Sequence, residues 1–137
     1  MRRRRTTTKQ PGNTQRQRDG AMAEQLAAQH VTDHGVSIVT RNFRSRLGEI
    51  DLVALDEPNL AFIEVRYRGI ASLGCAAASV TAHKQRRILQ TARFFLSRFP
   101  QWHAMPLRFD VIAIDQVDQN EHTLNWIRNA FDASAMH

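Results

Sequence analysis

The sequence has one cysteine, Cys75, so no internal disulfide can form and the chain suits a reducing cytosol. No apolar run approaches the roughly 20 residues that a bilayer-spanning helix needs. The start reads Met-Arg-Arg-Arg-Arg, but no apolar segment follows it, so a signal peptide is not expected. Internal repeats are lacking, and a secreted disulfide scaffold, a membrane protein or a collagen-like chain is not expected. Lysine is scarce as well. Of nineteen basic residues only Lys9 and Lys84 are lysine. Arginine grips phosphate bidentately, but a GC-rich coding sequence produces the same bias, so this bias is set aside.

Acid is missing from residues 1–18, which hold seven of the bases. The remainder has twelve bases against thirteen acids, so the net +6 belongs to the N-terminal tail and the rest is close to neutral. Residues 1–18 also lack apolar side chains apart from Met1 and are expected to be a disordered basic tail. Such tails touch nucleic acid or acidic surfaces, or simply solubilise the chain. Residues 19–137 suffice for one domain that buries a core without a staple.

Ala23, Leu26, Ala27 and Val31 lie on one face of a helix running from about Gly20 to His34, with Gly35 as its stop. Strands are expected over Val36–Phe43, Gly48–Leu55 and Leu60–Tyr67. The turn Asp56-Glu57-Pro58-Asn59 joins the last two as a hairpin. Residues 68–78 are small and read as a loop that includes Cys75. A helix from about Ser79 to Phe99 carries the stripe Ile88, Leu89, Ala92, Phe95, Leu96 and Phe99. Leu107–Ile114 is a fourth strand, and a short strand or helix with Leu124, Trp126 and Ile127 follows. The order α-β-β-β-α-β predicts an α/β fold with a mixed central sheet, the second helix crossing over to a parallel fourth strand.

Strict alternation puts Glu49, Asp51 and Val53 on one face of the second strand, with Ile50, Leu52 and Ala54 on the other. Phe62, Glu64 and Arg66 share a face of the third strand. Asp51, Glu64 and Arg66 thus lie mid-strand among apolar residues, where charge is costly. If register brings them together, two carboxylates and a cation converge, an oxygen-rich set suited to Mg²⁺ or Mn²⁺ and to phosphodiester chemistry. A cross-strand ion pair on a solvated face is the plainer alternative.

The stretch from Arg41 to Val53 contains Gly48-Glu49-Ile50-Asp51-Leu52. With Phe62-Ile63-Glu64-Val65-Arg66-Tyr67-Arg68 it closely resembles the YraN family. Gly20, Glu24, Ala78-Ser79-Val80, Lys84, Arg108-Phe109-Asp110-Val111 and Trp126-Ile127 also match, so the resemblance runs from Gly20 to Phe131. That family is similar to the restriction-endonuclease-like superfamily, especially archaeal Holliday-junction resolvases. The resemblance implies a restriction-endonuclease-like core over 19–137 with a nuclease site. The superfamily's Asp falls on Asp51, its Glu on Glu64 and its helical Glu on Glu24, with Glu49 a further acid. These four are the implied metal ligands, for Mg²⁺ or Mn²⁺. The superfamily's Lys falls on Arg66, which can clamp charge but cannot pass a proton.

Arg41, Arg44, Arg46, Arg68 and Lys84 flank these acids and are candidate clamps for a nucleic-acid backbone. Arg86, Arg87 and Arg93 read as a solvated helix face. His30 and His34 have metal-compatible spacing but no third ligand, and their place near a helix C-terminus is sufficient reason for them. Trp102 and Trp126 read as hydrophobic anchors. The expectation is a cytoplasmic, metal-dependent endonuclease acting on nucleic acid, DNA before RNA, in branched or flapped form. Branched-DNA resolvases work with paired sites, which makes a homodimer the assembly to test. The alternative is a nucleic-acid-binding or interaction module that retains the fold and catalyses little.

Overall fold

A computed structural model describes residues 14–70 and 80–132. Helix α1 spans Gln15–Asp33, strands β1, β2 and β3 span Ser37–Ser45, Gly48–Asp56 and Asn59–Arg68, and helix α2 spans Ala82–Arg98. A 3₁₀ turn at Pro100–Trp102 leads to β4, Leu107–Gln116, and β5, His122–Phe131. The loop expected around Cys75 lies mostly outside the described residues. Among the described residues no helix is long and apolar enough to cross a membrane.

Helix α1 starts earlier than the periodicity predicts. Thr14 Oγ1 accepts from the Gln17 backbone N–H at 3.2 Å, and the Gln17 side chain accepts from the Thr14 N–H at 3.0 Å. This reciprocal capping box satisfies two helix-end donors. Residues 15–18, expected in the tail, therefore belong to α1; residues 1–13 lie outside the described part.

The sheet order is β1-β2-β3-β4-β5. β1, β2 and β3 form an antiparallel meander, with Asp56 paired to Asn59 across the expected hairpin turn. After α2, β4 joins β3 in parallel, and β5 returns antiparallel as a full strand. The helices pack on opposite faces. Ala23, Ala27 and Val31 of α1 bury against Leu52, Ala54 and Ile63. The small alanines let the helix lie close to the sheet. Leu89, Ala92 and Phe95 of α2 bury against Ile50, Val53 and Phe62.

One expectation fails here. Ile50 does not share a face with Leu52 and Ala54, because it packs on the α2 side while they pack on the α1 side. The partner strand switches too: Phe43 meets Phe95 of α2, while Arg41 reaches Gln25 of α1. Between them Asn42 sits at φ 55°, a left-handed conformation that Asn tolerates better than most residues. The ladder swivels at Asn42, opposite Asp51, and turns the end of the hairpin toward α2. Gly48 completes that approach. It sits at φ +149°, and a Cβ there would lie 3.1 Å from Thr91 Oγ1. Gly48→Ala is expected to lower stability by about 1–3 kcal/mol through strain and crowding, read by urea denaturation. A loss below a few tenths would contradict this.

Candidate functional site at the β2–β3 split

Asp51 is 7% exposed and Glu64 is 5% exposed, on neighbouring central strands. The β2–β3 ladder runs from Asp56–Asn59 to Leu52–Ile63. Beyond it, Asp51 Oδ2 accepts the Val65 backbone N–H at 2.8 Å, so a side chain takes up a donor that would otherwise serve the ladder. The strands part at this point and both carboxylates sit in the opening.

Burial pushes the Asp51 carboxyl up to about 8. The nearby Glu64 charge adds to the shift, Glu24 and Glu49 add less, and the Val65 N–H opposes it. Glu24 is also raised, first by burial and then by Glu49, against a hydrogen bond from the Asn42 side chain. Glu64 Oε2 faces two cations: Arg66 Nη1 at 3.4 Å and Lys84 Nζ at 3.4 Å. Glu24, Glu49 and Glu64 therefore all act on the Asp51 carboxyl, and Asp51 and Glu64 are the most deeply buried of the four. Among the described residues, no three carboxylate, imidazole or thiol side chains are gathered into a ready-made ligand shell.

Lys84, expected as a backbone clamp, reaches Glu64 from the first turn of α2. Arg44 pairs with Glu49 at 3.5 Å, and Arg41 bonds to Gln25 at 3.3 Å, toward α1. Arg46 is exposed in the hairpin turn, and Arg68 is half-buried at the end of β3 in register with Asp115. These five bases do not form one patch. Arg87 is exposed, as the solvated helix face predicts, and also donates from Nε to the Leu47 carbonyl at 3.2 Å. No local pattern reports that contact. Asn42 stood inside the quoted motif without a role, and its only signal was the tolerance of Asn for left-handed backbone.

Two cavities flank the pair. One of about 480 Å³ lies between the β1–β2 turn and α2, lined in part by Arg44, Glu49, His83, Lys84 and Arg87. The other, about 540 Å³, lies against α1, lined in part by Arg16, Asp19, Glu24, Arg66 and Tyr67. The His30 and His34 rings lie tilted against each other, centroids 4.3 Å apart, beside Trp126. Burial and the neighbouring His34 lower the His30 pKa. Trp126 anchors β5 by donating from Nε1 to Asp110 at 2.9 Å.

The signature of the uncharacterised protein family UPF0102 matches residues 23–114, more than half of the chain. The chain belongs to UPF0102. This is the YraN family of the sequence resemblance. The UPF0102 match begins one residue before Glu24 and ends in β4, so it takes in Asp51, Glu64, Arg66 and Lys84. The chain is 49% identical over 112 residues to a UPF0102 protein of Alcanivorax borkumensis, covering 82% of this chain and 90% of that one. It is 44% identical over 117 residues to one from Stutzerimonas stutzeri, covering 85% and 97%. A UPF0102 protein of Pseudomonas fluorescens is 40% identical over 117 residues, covering 85% and 95%.

Proposed function

We propose that this UPF0102 protein is a metal-dependent nuclease on a restriction-endonuclease-like core, hydrolysing phosphodiester bonds of nucleic acid, DNA before RNA. The buried pair Asp51 and Glu64 at the β2–β3 split carries this reading. A strand order with β3, α2 and a parallel β4 supports it.

The donor chemistry fits Mg²⁺ or Mn²⁺. Mg²⁺ is commonly held by one or two carboxylates and completed by water, and Asp51, with its pKa pushed up to about 8, gains from a nearby cation. Glu24 and Glu49 stand behind the pair as further acids. When bound, the ion neutralises phosphodiester charge and makes a nucleophilic water available at neutral pH. The chain's own residues do the rest. The Val65 N–H fixes the Asp51 carboxylate. Arg66 and Lys84 hold Glu64 in place and present positive charge where the phosphorane-like transition state becomes more negative. Arg66 acts by charge alone. A cytoplasmic location and a homodimer that pairs two sites on branched DNA belong to the same proposal.

The test is cleavage of labelled single-stranded, duplex, flap and four-way-junction DNA, and of RNA, in Mg²⁺, Mn²⁺ or EDTA. Asp51→Asn and Glu64→Gln preparations exclude a contaminating nuclease. Metal-dependent cutting that disappears in both variants is expected. Tight binding by the wild type without cutting in either metal would overturn the nuclease and leave a binding module. Arg66 in place of lysine is the observation that favours this second reading.

A further inference from the structure

The two cavities beside the carboxylates differ in charge. On the α1 side, Arg16 and Arg66 are matched by Asp19 and Glu24. On the α2 side, Arg44, Lys84, Arg87 and His83 face a single acid, Glu49. We propose that the α2-side cavity is a phosphate subsite that seats a backbone phosphate of a nucleic-acid strand, next to the phosphodiester at Asp51 and Glu64. The adjacency rests on the nuclease reading; the phosphate binding does not.

Three features build the subsite. The swivel at Asn42 and the missing side chain at Gly48 bring the hairpin turn onto α2, so cations from two distant segments line one cavity. The hydrogen bond from Arg87 Nε to the Leu47 carbonyl holds that guanidinium at the rim, so less freedom is lost when it meets an anion. Among the described residues Arg44 pairs with Glu49 at 3.5 Å, an exposed contact of small net energy that a phosphate can replace. Lys84 connects the subsite to the carboxylates, since it lines the cavity and its Nζ lies 3.4 Å from Glu64 Oε2. Thr81 already caps the Lys84 amide at 3.2 Å, so the side-chain cations, rather than the helix end, carry the binding. At about 480 Å³ the cavity falls in the size range of small-ligand sites and admits a phosphate with part of its flanking sugar.

The test is fluorescence anisotropy of a labelled single-stranded oligonucleotide in EDTA, over a range of salt. R44Q/R87Q is expected to weaken binding about tenfold and to flatten the salt slope by about 0.7, one phosphate contact on single-stranded nucleic acid. Since Arg87 also ties the hairpin to α2, H83E serves as a second variant that places an acid in the cavity and is also expected to weaken binding. R16Q, in the opposite cavity, is expected to bind as the wild type does. Wild-type affinity in H83E, or an equal loss in R16Q, would overturn the subsite. Displacement by inorganic phosphate, matched for ionic strength, would instead make it a free-phosphate pocket and overturn the strand assignment. Cutting by the wild type with unchanged affinity in R44Q/R87Q sinks the subsite and spares the nuclease. Weakened variants without any cutting do the reverse.

Discussion

Asp51→Asn is expected to yield a protein that has lost nearly all cleavage of nucleic acid yet is more stable than the wild type in alkaline, metal-free buffer. Both effects come from one buried carboxyl. In the folded chain burial, aided by Glu64, pushes Asp51 up to about 8 from its ordinary value of 3.8. Between those values the folded protein holds a proton that the unfolded chain has released, so stability falls as pH rises. Below that window the carboxyl is protonated in both states and costs nothing extra. Above it the full cost of a buried charge is present. The amide of Asn has no charge to bury, and its oxygen can still accept the Val65 N–H. Above pH 8 the variant should exceed the wild type by up to about 6 kcal/mol, about four pK units at 1.4 kcal/mol each, and well below pH 3.8 the difference should vanish. Urea titrations in EDTA across this range decide it, and parallel pH profiles for the two proteins would refute it. Cleavage by the variant should fall on the order of 10³-fold. Mg²⁺ or Mn²⁺ should raise the Tm of the wild type, because a ligand of the folded state stabilises it, and should leave the variant unchanged. The Tm response tests the metal site without any activity.

Asp110→Ala should cost about 3–5 kcal/mol, a large share of the 5–15 kcal/mol that holds a domain of this size. Asp110 is 0% exposed and its two oxygens are fully engaged. They accept from Arg108 Nε at 2.9 Å, Arg108 Nη2 at 3.0 Å, Trp126 Nε1 at 2.9 Å and the Asn129 N–H at 2.9 Å. Asn129 stands at φ 55° where the β4–β5 register slips between Phe109 and Val111, so Asp110 captures the donor that this bulge leaves over. Arg108 passes the network to Asp56 at 2.9 Å and so to the β2–β3 hairpin. Hydrogen bonding to Asp110 is the main reason the Arg108 pKa is raised. Alanine would leave a largely buried guanidinium with Asp56 but without Asp110, and would leave the Trp126 and Asn129 N–H groups without their acceptor. The check is chemical denaturation, or a Tm lower by roughly 12–20 °C. Asp110→Asn, which keeps the acceptor oxygen, should lose less. A loss below 1 kcal/mol for alanine would show that water rescues those donors.

Where information is local, the amino-acid sequence alone determined the outcome. Apolar spacing placed both helices, strand patterning placed β1 to β4 while β5 was left as a strand or a helix, and Asp56-Glu57-Pro58-Asn59 announced the hairpin. That hairpin puts Asp51 and Glu64 on neighbouring strands, so the pair at the centre of the candidate site was legible before any coordinates. The capping box of Thr14 and Gln17 was legible too, but the basic composition around it masked the signal. Only the tertiary structure decided which groups surround the pair. Strict alternation could not foresee the swivel at Asn42, because one left-handed residue reverses the facing of everything beyond it. Lys84 is twenty positions from Glu64 in the chain, and Arg87 is forty from Leu47. Nothing in the intervening residues encodes those distances. They follow from how α2 lands on the sheet, which is set by Leu89, Ala92 and Phe95 filling the space beside Phe62 and by Gly48 leaving room at the turn. The carboxylates follow from local pattern, and their cations follow from packing.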